Sequence, residues 1–211
     1  MTEATKAASR ATKKKNREIR HAMYSTNVKS VIGKITKGCE IFGLSKGQFS
    51  IVNIIEEVLN QVGSSDVILS TWTAANYDIT KVKCLSDNGL INNISLILDR
   101  SAKTKVGGDN FELLESYFPR RIHITNTHAK FVMIKNDNWN IVIRTSMNLN
   151  ENKRLENFEI SDCSILYNYL SDICNDITEN KIYNPTKFEM LGRKEKYNKY
   201  KWILVIFVNK S

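Results

Sequence analysis

Two short apolar runs, Phe131-Val-Met-Ile134 and Ile141-Val-Ile143, flank the stretch Lys-Asn-Asp-Asn-Trp-Asn, and this segment constrains the fold more than any other. Both runs are rich in β-branched or large apolar residues, and the Asn-rich stretch between them has turn chemistry, so the segment predicts an antiparallel hairpin. Neither run alternates apolar with polar residues, so both strands call for cover on two faces. One covering layer is legible directly. Ile51, Ile54, Ile55, Val58, Leu59 and Val62 fall at helical spacing on one face, and Gly63-Ser-Ser65 ends that helix.

The alternation of strand and helix continues along the chain. Val67–Leu69 and Ile94–Leu98 read as buried strands, and Tyr77–Ser86 reads as a helix stopped near Asn88-Gly89. Lys103–Asn110 reads as a loop, Phe111–Phe118 as a short helix closed by Pro119, and Arg121–Thr125 as the start of another strand. Ser164–Ile177 predicts a final helix with Ile165, Leu166, Tyr169, Leu170, Ile173 and Ile177 on its buried face. Such alternation implies an α/β layer fold: a mixed, partly parallel β-sheet flanked by helices on both faces. No internal repeat is present, so any site is built once.

Charge separates the ends from the middle. The net charge is +9 over 211 residues, yet residues 1–20 carry seven Lys/Arg against Glu3 and Glu18, and residues 185–211 carry seven against Glu189 and Glu195. The remainder is close to neutral. The expected organisation is a basic N-terminal arm (1–30), an α/β domain (31–184) and a basic tail (185–211) ending in the apolar run Trp202–Val208. That run is far shorter than a membrane span, so no stable membrane insertion is expected. The Lys-rich start shows no apolar leader, and Cys39, Cys84, Cys163 and Cys174 lack metal-ligand spacing. Reduced thiols, a cytoplasmic setting, and no metal or other cofactor are the expectation. The abundance of Asn, Ile and Lys suits an A+T-rich source, such as a bacterium or a phage-infected host.

Within the neutral middle, Arg120, Arg121, Lys130, Lys135, Arg144, Lys153 and Arg154 face only Asp137 and Glu151. This surplus surrounds His128-Ala-Lys130, Ser146-Met-Asn148 and Asn157-Phe-Glu159. A His and a Lys two apart in a strand project from one face, placing an imidazole beside a phosphate-seeking cation. If the hairpin is symmetric about Asn138, His128 opposes Asn148 and Lys130 opposes Ser146, so four polar groups converge at its open end. A register slip of one residue would undo this. The combination suggests phosphodiester chemistry. A lone histidine, or either triplet by itself, would be unremarkable.

These residues resemble the signature of the phospholipase D superfamily, which has HxK, a downstream Asp, a Gly-Ser-x-Asn element and a later acidic residue. His128 and Lys130 match the first element, Ser146 and Asn148 the second, and Glu159 the last. Gly47-Gln-Phe-Ser50 and Ser70-Thr-Trp-Thr73 are similar to small bacterial and phage members, and the resemblance spans roughly residues 45–180. Two departures stand out. Lys135 occupies the position of the family's Asp, which implies a lengthened hairpin with Asn136 or Asp137 at its tip and weaker turn stabilisation. Thr145 replaces the glycine, which implies a backbone less able to approach a phosphate.

The resemblance implies that His128 attacks phosphorus to give a phosphohistidine, while Lys130, Asn148 and Ser146 hold the non-bridging oxygens and Glu159 orients a histidine ring. It also implies a second histidine as the acid and base. Neither His21 nor His123 begins another motif, so the resemblance implies a homodimer with two His128 at one site. The basic character favours nucleic acid over lipid, and DNA is the leading expectation. Arg120, Arg121, Arg144, Lys153 and Arg154 are candidate nucleic-acid contacts. Trp72, Tyr77, Trp139 and Tyr183 could stack on bases, although core packing suits most of them better. The expected activity is a metal-independent phosphodiesterase, a DNA endonuclease. The alternatives are a weak or inactive nucleic-acid-binding or virion-associated protein on the same fold and, further off, a phospholipase.

Overall fold

The computed structural model describes residues 16–21, 27–103, 108–150 and 153–179. The described residues up to Ser171 form one compact unit, and the described part of the second unit, from Asp172, is the C-terminal end of the last helix. In chain order the elements are β1 (Asn16–His21), α1 (Val28–Ile32), β2 (Cys39–Ser45), α2 (Ile51–Val62), β3 (Ser65–Thr71), α3 (Asn76–Asp87), β4 (Ile91–Asp99), a 3-10 turn (Arg100–Lys103), α4 (Gly108–Tyr117), β5 (Ile122–Thr125), β6 (Phe131–Lys135), β7 (Asn140–Thr145), β8 (Glu156–Asp162) and α5 (Ser164–Thr178).

Among the described residues the strands form one eight-stranded sheet in the order β1-β2-β8-β7-β6-β3-β4-β5. The pairs β1/β2, β3/β4 and β4/β5 are parallel, and the central pairs from β2/β8 through β6/β3 are antiparallel. The sheet is thus mixed, as the strand–helix alternation predicts. Its main core joins Ile54, Ile55 and Leu59 of α2 to Val67, Leu69, Val132, Ile134, Ile141, Ile143, Phe158 and Ile160 of the sheet. Met133 and Val142 are buried on the opposite face, where Lys135 places its ammonium 5.5 Å from the ring centre of Tyr167 on α5.

Three expectations are corrected. Residues 16–21, placed in the basic N-terminal arm rather than in the α/β domain, form the edge strand β1. Its sequence is nearly all polar, with Ile19 exposed, and parallel pairing to β2 outweighs that weak strand propensity. Its charges suit a sheet edge, and Arg17 donates to Glu40 on β2 at 2.9 Å. The buried face of α5 is also rotated from the expected one: Ile165 and Tyr169 are exposed and Tyr167 is buried. Two residues along a helix are about 200° apart, so a face centred near Tyr167 turns Ile165 and Tyr169 away.

The third correction concerns the hairpin register. Phe131 pairs with Arg144 and Lys135 with Asn140, one residue away from the register that opposes Lys130 to Ser146. The reason lies in the turn. Asn136 N–H donates to Trp139 O at 3.2 Å, and its Oδ1 accepts from the N–H groups of Asn138 (2.9 Å) and Trp139 (3.0 Å). Its Nδ2 donates to Val62 O and Ser65 Oγ, both at 3.0 Å, which ties the turn to the end of α2 and the start of β3. Asn136 therefore braces the turn where the departure from the family pattern implied a loss.

Candidate active site

His128 and Lys130 lie just before β6, in the connection Asn126–Lys130 that returns from β5. That segment is pinned on each side of His128. Thr127 N–H donates to Asp99 Oδ2 at 3.1 Å, Ser70 Oγ donates to Ala129 O at 2.9 Å, and Thr145 N–H donates to Lys130 O at 3.2 Å. His128 itself is exposed, with its ring centre 5.3 Å from that of Trp72 and the planes inclined by 49°.

Lys130 turns its ammonium onto its neighbour, reaching His128 Nδ1 at 3.2 Å and His128 O at 2.8 Å. An ammonium can only donate, so with Lys130 on Nδ1 a neutral ring carries its proton on Nε2. Burial lowers the Lys130 pKa, and the charge of Glu156 works against that shift.

Ser146 lies in the bend after β7. Its hydroxyl donates to Glu156 Oε2 and accepts from Asn157 N–H at 3.0 Å. Thr145, in place of the family's glycine, builds this bend: its hydroxyl donates to Asn157 O at 2.6 Å and accepts from Met147 N–H at 3.0 Å. A glycine could make neither bond. The following segment is fastened to the end of β3, with Leu149 N–H donating to Thr73 O and Thr71 Oγ1, both at 3.1 Å. The His128 and Asn148 segments are thus anchored to the same stretch, Ser70–Thr73. Asn148 is half-buried, and its Oδ1 has no hydrogen-bond partner among the described residues.

Glu159 is not brought into this group by the contacts it makes. It pairs with Arg144 on the neighbouring strand at 2.5 Å. Residues three apart in a strand lie on opposite faces, so Glu159 and Glu156 diverge. The carboxylate that meets Ser146 and acts on Lys130 is Glu156, a residue the sequence reading passed over. The signal was available, since Glu156 begins the same strand. The motif pattern drew attention to Glu159 instead.

The basic candidates also separate. Lys153 and Arg154 are exposed in the β7–β8 connection, at the end of the sheet that holds Ser146, whereas Arg120 and Arg121 precede β5, where Arg121 O accepts from Leu96 N–H within β4. Among the aromatic candidates, Trp72 packs on His128, Trp139 lies under Lys37 (3.8 Å), and Tyr77 is exposed; Tyr183 lies outside the described residues. His21 is on β1 and His123 on β5, the two outermost strands, and burial lowers the His123 pKa. No cluster of three or more His, Cys, Asp or Glu suited to a metal ion occurs among the described residues. No described helix is long and apolar enough to cross a membrane.

No family model and no curated protein matches the chain. Among solved structures it is similar to polyphosphate kinase from Porphyromonas gingivalis, with 14% identity and a TM-score of 0.50 over 65% of this chain and 26% of that one. The chain therefore spans about a quarter of that protein's length. It is also similar to NucT from Helicobacter pylori, with 14% identity and a TM-score of 0.49 over 66% of this chain and 96% of that one. The likeness to polyphosphate kinase shows a shared fold, a mixed sheet flanked by helices.

Proposed function

We propose that the chain is a phosphodiesterase acting on nucleic acid, DNA in particular, with His128 as nucleophile. The observation that carries this reading is the exposed His128 imidazole held 3.2 Å from the Lys130 ammonium, at the end of the sheet where Ser146 and Asn148 are anchored. An incoming phosphate draws Lys130 off Nδ1 and onto a non-bridging oxygen. That frees Nδ1 to take over the ring proton, so that the Nε2 lone pair attacks phosphorus, giving a phosphohistidine and an alkoxide leaving group that takes its proton from a second acid. Asn148 Nδ2 supplies a further donor to the oxygens, and Ser146 Oγ another when its proton turns from Glu156 Oε2 to the phosphate. Water then cleaves the phosphohistidine. Every step uses imidazole, ammonium and hydrogen-bond donors, so the cleavage is expected to persist in EDTA.

The leaving-group proton needs a second acid. With His21 and His123 on opposite edges of the sheet, a second copy of the chain is the natural source, its own His128 meeting the first across a two-fold axis. Incubation of the protein with plasmid and single-stranded DNA in EDTA tests the reading. Cleavage supports it, and binding without cleavage would favour the non-enzymatic module.

Two narrower expectations concern the surrounding charges. Glu156→Gln is expected to change kcat by about tenfold or more, with Glu159→Gln acting mainly on stability by freeing Arg144, on the order of 1 kcal/mol for a half-exposed pair. Kinetics and thermal melts of both variants check this, and the reverse pattern would return the carboxylate role to Glu159. Lys153→Ala with Arg154→Ala is expected to lower the slope of log affinity against log salt by about 1–2. Arg120→Ala is expected to leave the slope within error. Equal effects from both sets would mean that the DNA path does not follow the β7–β8 connection.

A further inference from the structure

Asp99, the last residue of β4, lies beneath the His128 segment and gathers three donors. Its Oδ1 accepts from Ser101 N–H at 2.9 Å and Ser101 Oγ at 2.5 Å, and its Oδ2 accepts from Thr127 N–H at 3.1 Å. The Trp72 side chain also acts on this carboxylate, helping to lower its pKa. Trp72 in turn packs its ring against the imidazole of His128, 5.3 Å between centres. One carboxylate thus holds the backbone entering His128 and stands near the indole that packs on the ring.

We propose that Asp99 and Trp72 are positioning residues for the His128 imidazole, Asp99 fixing the indole and the Thr127 backbone, and the indole fixing the ring. An exposed imidazole on a loop has free rotation about its two side-chain torsions unless something limits it, and attack on phosphorus demands one orientation. The indole supplies a wall that stays in place when the phosphate draws Lys130 off Nδ1. Ser70 Oγ on Ala129 O completes the arrangement from the exit side. Burial pushes the Asp99 carboxyl up, but the bonds from Ser101 and Thr127, with the contribution of Trp72, outweigh it and leave the group below its ordinary value. Asp99 therefore stays ionised across the neutral range, and the stability it contributes is lost only as the pH falls through that lowered value.

The structural half of this inference stands apart from the function, and its catalytic consequence rests on the phosphodiesterase reading. The experiment reads both. The ring-proton resonances of His128 are followed by NMR in the full chain, in Asp99→Asn, Trp72→Phe and Trp72→Ala, alongside kcat and KM for DNA cleavage. Asp99→Asn, which keeps the shape of the side chain, and Trp72→Phe, which keeps an aromatic ring without the indole N–H, are expected to shift the His128 ring resonances in the same sense as Trp72→Ala, because the indole's ring current moves or disappears. They are expected to lower kcat by about 10–100-fold with KM little changed. Combined Asp99→Asn and Trp72→Phe is expected to cost no more than the larger single change, since both break one link. Unchanged His128 resonances in Trp72→Ala would overturn the inference, as would full additivity of the two changes. If the wild type cleaves no DNA, the function reading fails while the resonances still decide whether Asp99 and Trp72 hold the ring.

Discussion

Replacing His128 with alanine is expected to lower DNA cleavage in EDTA by at least about three orders of magnitude while leaving DNA binding within a few-fold, the pattern for loss of a covalent nucleophile. The side chain is exposed and its backbone is held by Asp99, Ser70 and Thr145, so little stability rests on the ring, and the variant should melt close to wild type. A plasmid-nicking assay with a parallel binding measurement checks this. Cleavage by His128→Ala above about a tenth of the wild-type rate would remove His128 from the chemistry. The same variant tests the second copy. In mixed subunits a shared site makes activity follow the square of the wild-type fraction, so an equal mixture retains about one quarter rather than about one half. Linear dilution would mean that each chain works alone.

The largest stability effect is expected where β2 crosses β8. Gly43 pairs with Phe158, and a methyl group on Gly43 would meet the Phe158 ring at 2.3 Å. Phe158 is fully buried and packs edge-on against Phe49, with 6.1 Å between ring centres, so the ring cannot swing clear. Gly43→Ala is expected to cost about 1–3 kcal/mol, and Phe158→Ala about 3–5 kcal/mol through the cavity left behind. The combination should cost less than the two together, because the new methyl group enters space that the ring has vacated. Denaturant melts of the three variants measure this. Additive losses would show that the ring and the glycine do not share that space.

The departures of this chain from the family pattern acquire a physical meaning in the fold. Thr145 gives up the conformational freedom of glycine and gains two hydrogen bonds that shape the bend carrying Ser146. Asn136 supports the hairpin with its own side chain, beside Lys135 at the position where the family has Asp. Both side chains support the local backbone with hydrogen bonds of their own.

What the sequence determined by itself is the local pattern. The helical spacing of α2, the apolar runs of β3, β4, β6 and β7, and the polar triplets at 128–130 and 146–148 are short-range features, readable because helices and strands repeat every few residues. The tertiary structure decided everything that depends on a distant partner. β1 is a strand because β2 is beside it, and α5 turns Tyr167 inward because the sheet is there. The hairpin register depends on Asn136 reaching Val62 and Ser65, some seventy residues away. That register, with the opposed faces of β8, puts Glu156 beside Ser146 and leaves Glu159 to Arg144. A strand turns over with every residue, so a pattern along the chain can name a carboxylate, but only the pairing of strands selects the face on which it acts.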